Sequence, residues 1–122
     1  MRHRLKSLMI GRFCEELDAF PSLSSIQHLH TSLDRLILVG WEKLNSLPDE
    51  IQCFTYLKHL CIYGFDGLEA LPEWLCNFSS LQILKLRLCK KLMYLPTSQA
   101  MQHLTKLELS VFRPLKTTIG LT

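Results

Sequence analysis

The sequence predicts a single α/β domain of solenoid type, in which successive coils each lay one strand into a parallel sheet. Three observations point there. An L-x-x-L-x-L unit returns at a fixed interval: Leu33-x-x-Leu36-x-Leu38, Leu57-x-x-Leu60-x-Ile62, Leu81-x-x-Leu84-x-Leu86 and Leu104-x-x-Leu107-x-Leu109, with starts 24, 24 and 23 residues apart. A second half-unit, L-x-x-L-P, begins 11 residues into three of them, at Leu44-x-x-Leu47-Pro48, Leu68-x-x-Leu71-Pro72 and Leu92-x-x-Leu95-Pro96. The chain of 122 residues is 48% hydrophobic and 20% charged, enough for one core, while no apolar run approaches the ~20 residues that cross a bilayer. A recurrence at roughly 20–50 residues decides the architecture before local propensity does.

Each element follows from its place in the period. The first unit, Leu5-x-x-Leu8-x-Ile10, stands 28 residues before Leu33 and so carries a four-residue insertion; its second half is the looser Leu17-x-x-Phe20-Pro21. Repeats are expected at about 5–32, 33–56, 57–80, 81–103 and, in part, 104–122. The last two leucines of L-x-x-L-x-L are two residues apart and share one face of an extended strand. A lone strand cannot bury that face, whereas stacked coils give each strand a parallel neighbour and one continuous core. Pro48, Pro72 and Pro96 lack an N–H, so the chain has left the sheet where they stand. Ile51, Phe54, Leu75 and Phe78 are then placed to fill the core from behind. Thr31-Ser32, Thr55 and Ser79-Ser80 suit the turn back into the sheet. A coil of 23–24 residues leaves no room for a full helix. The expected fold is a right-handed leucine-rich-repeat solenoid, with five parallel concave strands and short 3₁₀ or irregular convex segments. A helical bundle is excluded by the prolines and by a period of 24 rather than 7 or 11.

With the repeat in place, the residues resemble the C-terminal leucine-rich repeats of plant nucleotide-binding, leucine-rich-repeat disease resistance proteins of the coiled-coil class. The likeness runs from about Leu5 to about Leu109 and is densest in Leu68-Glu69-Ala70-Leu71-Pro72-Glu73-Trp74-Leu75-Cys76-Asn77-Phe78-Ser79-Ser80-Leu81-Gln82. Leu88-Cys89-Lys90-Lys91-Leu92 matches the family's cysteine after the strand, and Tyr94-Leu95-Pro96 with Ala100-Met101-Gln102-His103-Leu104 is similar to its final repeats. One position departs. The ninth residue of each unit is Phe13, Trp41, Phe65 and Cys89, where the family places Cys or Asn to hydrogen-bond between coils. Aromatics cannot make that bond, so irregular or separated coils are expected there. No GxxxxGK[ST] phosphate loop is present, so nucleotide binding does not carry over.

The resemblance implies a protein-recognition module of an intracellular, cytoplasmic plant immune receptor. Such a module binds pathogen effectors or host proteins and docks on the receptor's own nucleotide-binding domain. The alternative is a generic leucine-rich-repeat interaction scaffold outside immunity, or a truncated, non-functional fragment. Neither end carries a polar capping unit, which favours a fragment; the start, Met1-Arg2-His3-Arg4-Leu5, has no apolar stretch behind it, so no secretory signal is expected.

Residues that alternate with the strand leucines face outwards. The third position of the units gives Ser7, Arg35, His59, Ile83 and Lys106; the fifth gives Met9, Ile37, Cys61, Lys85 and Glu108; the seventh gives Gly11, Val39, Tyr63, Arg87 and Ser110. The protein-binding candidates are Arg35, Ile37, Val39, His59, Cys61, Tyr63, Ile83, Lys85, Arg87, Lys106 and Glu108, with Tyr63 beside Ile37, Ile83 and Arg87 as the expected hot spot. The competing reading is a set of strand formers partly covered by a neighbouring domain.

Charge is uneven: residues 1–81 carry seven Lys/Arg against ten Asp/Glu, and residues 82–122 carry seven against one. A basic end suits an acidic protein surface. Nucleic acid is not expected, because aromatic stacking residues other than Tyr94 and Phe112 do not interleave with the basic ones. The five cysteines, Cys14, Cys53, Cys61, Cys76 and Cys89, form no CxxC pair, and their odd number points to free thiols in a reducing compartment. His28 and His30 lack a second ligand pair and read as loop residues, so no metal or other cofactor is expected. No GxSxG or HExxH motif is present, and Cys61 with His59 lacks a third orienting group, so no enzyme is expected.

Overall fold

Leucines at the fourth and sixth positions of each unit require a strand, and the structure, a computed structural model, builds one at each. It describes residues 5–11, 20–96, 102–110 and 116–117. Strands β1 (Ser7–Ile10), β2 (Arg35–Val39), β3 (His59–Tyr63), β4 (Ile83–Arg87) and β6 (Lys106–Ser110) form one parallel sheet in the order β1-β2-β3-β4-β6, with β5 (Tyr94–Leu95) on the return path between the last two. The register keeps repeat positions opposite one another: Leu8, Leu36, Leu60, Leu84 and Leu107 make one row, and Ile10, Leu38, Ile62, Leu86 and Leu109 the next. A one-residue slip would turn each of these apolar side chains to the other face, which is why the pairing holds over all five strands.

The same backbone contact recurs at the entry to each strand. The Lys6 carbonyl accepts from the N–H groups of Asp34 and Arg35, that of Asp34 from Lys58 and His59, that of Lys58 from Gln82 and Ile83, and that of Gln82 from Thr105 and Lys106. One carbonyl thus staples each coil to the next, and the Thr105 hydroxyl adds a second donor to Gln82 at 3.1 Å.

The return path is built as the prolines demand. Pro48 (φ −66°) and Pro72 (φ −72°) stand at the entries of two 3₁₀ turns, Asp49–Cys53 and Glu73–Asn77; an earlier turn spans Ser24–Leu29. Proline's fixed φ and missing donor suit the first residue of such a turn. Ile51, Phe54, Leu75 and Phe78 point inwards and are buried, as the spacing predicts. His28 lies within the first turn and His30 just after it, rather than in a loop. Thr31-Ser32, Thr55 and Ser79-Ser80 occupy turns before the next strand.

The expected irregularity at the aromatic ladder positions does not occur. Trp41 and Phe65 turn inwards and are buried, each stacked with Phe20 at a centroid distance of 5.9 Å. The strands before them pair in register. Two features make this possible. The residue before each aromatic is a glycine, and the inter-coil bonds are made by the backbone: Gly40 N–H donates to the Tyr63 carbonyl at 2.7 Å, and Gly64 N–H to that of Arg87 at 3.0 Å. Gly40 has no Cβ because the Phe65 ring fills that space, and Gly64 takes φ +73°. Phe13 and Leu17 lie outside the described residues, as do Cys14, Phe112 and Arg113.

A second ladder runs along the return path. Ala70 bridges Tyr94 in parallel, and β5 pairs with β7 (Lys116–Thr117). Pro72 and Pro96 follow directly on the paired segments, so the proline marks the end of this ladder as well as the exit from the main sheet. Among the described residues no helix is long and apolar enough to cross a membrane.

Candidate protein-binding face

Alternation along the strands leaves three rows of side chains on the outer face of the sheet. The first joins Arg35, His59, Ile83 and Lys106; the second Ile37, Cys61, Lys85 and Glu108; the third Val39, Tyr63 and Arg87. Neighbours within a row stand on strands about 4.8 Å apart, so each row is a continuous surface. All eleven candidate residues fall on this face, and the structure orders them into two halves. Ile37, Val39 and Tyr63 make the outer side of β2 and β3 mainly apolar and aromatic, beside Arg35 and His59, while Lys85, Arg87, Lys106 and Glu108 make that of β4 and β6 mainly charged, beside Ile83.

Tyr63 stands opposite Val39 on one side and Arg87 on the other, with Ile37 one step away on the diagonal. Ile83 lies opposite His59, four residues down the strand from Arg87. It therefore belongs to the other end of the face, and Val39 takes the place beside Tyr63 that the sequence reading gave to Ile83. Cys61 is only 4% exposed. Its neighbours cover it, so it offers a partner little surface.

The charged half is organised around one carboxylate. Glu108 meets Lys85 at 3.3 Å and Lys106 at 3.7 Å. A hydrogen bond from Lys85 holds the Glu108 carboxyl below its ordinary pKa, and Lys106 and Arg87 act in the same sense. Among the described residues no acid lies within ion-pairing reach of Arg35 or Arg87. His59 is held below its ordinary value by burial, then by the charges of Arg35, Lys85 and Lys106, with Glu108 opposing. It is neutral at pH 7.

The Cys61–His59 pair is unsuited to nucleophilic chemistry. Burial pushes the Cys61 thiol up, against smaller opposing effects of Tyr63, Lys85 and Arg87. A thiol kept protonated beside an imidazole kept neutral is the reverse of the thiolate–imidazolium pair that such chemistry needs.

The strands end in a shallow groove of about 430 Å³ lined by Gly40, Trp41, Glu42, Gly64, Asp66, Leu88 and Lys90. Its wall includes a Lys90–Asp66 contact at 4.0 Å. Leu88 repeats the backbone of Gly64 one coil later, with φ +57° and a half-exposed side chain. Beside it, Cys89 takes the inter-coil ladder role that the family resemblance implies. Its buried thiol, pushed up by that burial, faces the backbone of Phe65 and Gly64 and donates to the Arg87 carbonyl at 3.5 Å. Cys53, Cys61, Cys76 and Cys89 are all free thiols.

Two features escaped the sequence reading. The Lys85–Glu108–Lys106 cluster was legible in principle, because Lys85 and Glu108 occupy the same repeat position 23 residues apart. Segregation of charge by face was hidden by counting along the chain. The three 3₁₀ turns carry Asp49, Glu50 and Glu73 but no Lys or Arg, whereas the outer face carries Arg35, Lys85, Arg87 and Lys106 against Glu108.

The family model of the R13L1/DRL21 leucine-rich repeats matches residues 42–112, more than half of the chain. No curated protein gives a significant match.

Proposed function

The chain belongs to the R13L1/DRL21 leucine-rich-repeat family, and from that premise we propose that it is the protein-recognition module of an intracellular plant immune receptor of the coiled-coil, nucleotide-binding class. Repeats of this resistance-like family are protein-interaction scaffolds. In this reading the module works in the cytoplasm, binds a pathogen effector or a modified host protein, and docks on the receptor's nucleotide-binding domain. Its five repeats divide at about residues 33, 57, 81 and 104.

The observation that carries the reading is the outer face itself. Three in-register rows bring aliphatic, aromatic and cationic side chains together on a rigid sheet, with Tyr63 and Arg87 adjacent at the junction of its two halves. Tyrosine and arginine dominate binding energy where they are desolvated together. A sheet whose inner face is locked by the core presents them without a backbone ordering cost, leaving only the side-chain rotamers to be fixed.

The test is alanine at Tyr63 and at Arg87 in the full-length protein. Partner association, by co-precipitation and titration, is expected to fall by about 2 kcal/mol for each at a hot spot. Unchanged association in both variants would sink the reading. A phosphate-loop coding sequence upstream of Met1 supports the receptor assignment, and a separate promoter and start site there argues for a stand-alone scaffold.

A further inference from the structure

We propose that the outer face binds an acidic, apolar-anchored protein segment, seating carboxylates on Arg87 and Arg35 and aliphatic or aromatic side chains on Ile37, Val39 and Tyr63. This inference rests on the reading of that face as the recognition surface and adds the chemistry of what it recognises.

The charge of the face comes first. Four cations stand against one carboxylate, a formal +3 with His59 neutral. The 3₁₀ turns on the other side bear carboxylates only. The field is therefore directed as well as basic, and it steers an acidic chain to the sheet rather than to the turns.

The face already holds one carboxylate of its own. Glu108 lies between Lys85 at 3.3 Å and Lys106 at 3.7 Å. Arg87, one row along from Lys85, has no acidic partner among the described residues, and neither does Arg35. The seats left vacant are guanidinium groups, which take carboxylates in bidentate fashion.

The apolar half sets the second requirement. Ile37, Val39 and Tyr63 are half-buried and continuous with Arg87 through the Tyr63–Arg87 pairing. An acidic segment without apolar residues leaves this half uncovered. A nucleic-acid strand satisfies the cations but finds Tyr63 as the sole aromatic platform among the described outer residues of β2, β3, β4 and β6. A protein segment that alternates acidic and apolar residues along its length satisfies both halves.

The experiment uses the full chain and fluorescence anisotropy with labelled synthetic peptides that alternate glutamate with leucine and phenylalanine. Matched peptides carry glutamine or lysine in place of glutamate, and a single-stranded oligonucleotide serves as a polyanion. The glutamate peptide is expected to bind, more weakly as salt rises. Arg87→Glu is expected to weaken it about tenfold. Glu108→Gln, which frees Lys85 and Lys106, is expected to strengthen it about threefold. Lys43→Glu, on an exposed loop residue away from the face, is expected to change nothing, and circular dichroism checks that all variants remain folded.

Equal binding of the glutamine or lysine peptide overturns the inference. So does binding of the oligonucleotide but not the glutamate peptide, weakening by Glu108→Gln, or equal damage from Lys43→Glu. If Tyr63→Ala abolishes association with a partner of the full-length protein while Arg87→Glu and Glu108→Gln leave it unchanged, recognition by this face stands and its acidic preference falls. If Tyr63→Ala has no effect either, both fall.

Discussion

The aromatic ladder makes a quantitative prediction about two residues in successive coils. A Cβ added at Gly40 would lie 2.6, 2.7 and 2.9 Å from Cδ1, Cε1 and Cγ of Phe65. The ring cannot retreat, since Phe65 is wholly buried and stacked on Phe20 at 5.9 Å with planes 12° apart. Gly40→Ala is therefore expected to destabilise the protein by about 1–3 kcal/mol, the usual cost of overpacking a tight core. Phe65→Ala alone should cost about 3–5 kcal/mol, a substantial share of the ~6–18 kcal/mol that about 0.05–0.15 per residue implies for a chain of this length. Combined, the two changes should relieve one another. With the ring gone, the added methyl enters a void, gaining about 0.8 kcal/mol of burial, and the loss of glycine's freedom in the unfolded chain contributes about 0.4–1 more. Gly40→Ala thus changes sign between the two backgrounds, a coupling of about 2–5 kcal/mol, well above the roughly 0.3–0.5 kcal/mol within which independent sites add. Urea unfolding of the four chains, followed by circular dichroism, measures it. Additivity within that margin would show that Gly40 is a glycine for some reason other than the ring.

Further predictions follow from backbone geometry and titration. Gly64→Ala places a side chain at φ +73° and 3.3 Å from the Gly40 carbonyl oxygen, so urea unfolding should show a loss of about 1–2 kcal/mol; a neutral result would mean that the turn relaxes. Leu88→Gly should stabilise by up to about 1 kcal/mol, because it removes the strain of φ +57° at a side chain that is half exposed, and a lower urea midpoint would contradict this. Stability should form a dome against pH. His59 is depressed from 6.5, so the unfolded chain takes up its proton first and stability declines as pH falls below 6.5; Glu108, depressed from 4.5, adds a decline below that value. Cys61 and Cys89 are raised from 9.0 by burial, so above pH 9.0 the unfolded chain loses protons first and stability declines again. A urea midpoint that rises from pH 7 to pH 5 would contradict the sign worked out for His59.

The fold was legible to the extent that it is periodic. Leu36, Leu60 and Leu84 each recur at one position, so their common burial and register could be read from spacing alone. The prolines located the turns for a chemical reason, the missing N–H, and Ile51, Phe54, Leu75 and Phe78 followed by counting. What the sequence concealed depends on contacts between different positions. Trp41 and Phe65 looked disruptive because the ladder role was assigned to the side chain; the structure gives it to the N–H groups of Gly40 and Gly64, the residues just before them. The Ala70–Tyr94 bridge and the β5–β7 pairing leave no trace, since pairings this short impose no alternation. Cys61 illustrates the limit for the candidate site. Alternation places it on the outer face, but only the packing around it decides that almost none of it is exposed.

Such a stack also explains why the outer face can vary while the fold does not. The two leucine rows and the entry carbonyls of Lys6, Asp34, Lys58 and Gln82 fix each coil on the last through inward side chains and backbone, using the N–H groups of the outer residues but none of their side chains. Arg35, His59, Ile83 and Lys106 share a position yet have four different chemistries, and the pairing tolerates all of them. The outer rows are thus decoupled from stability except where neighbours interact directly, as Lys85 and Lys106 do through Glu108. Ion pairs as exposed as these contribute little against the core. The charge pattern of this face is therefore not dictated by folding. A carboxylate that gathers two lysines, while Arg35 and Arg87 have no acidic partner among the described residues, is a pattern that the core does not impose, and it is the pattern that the proposed acidic partner would read.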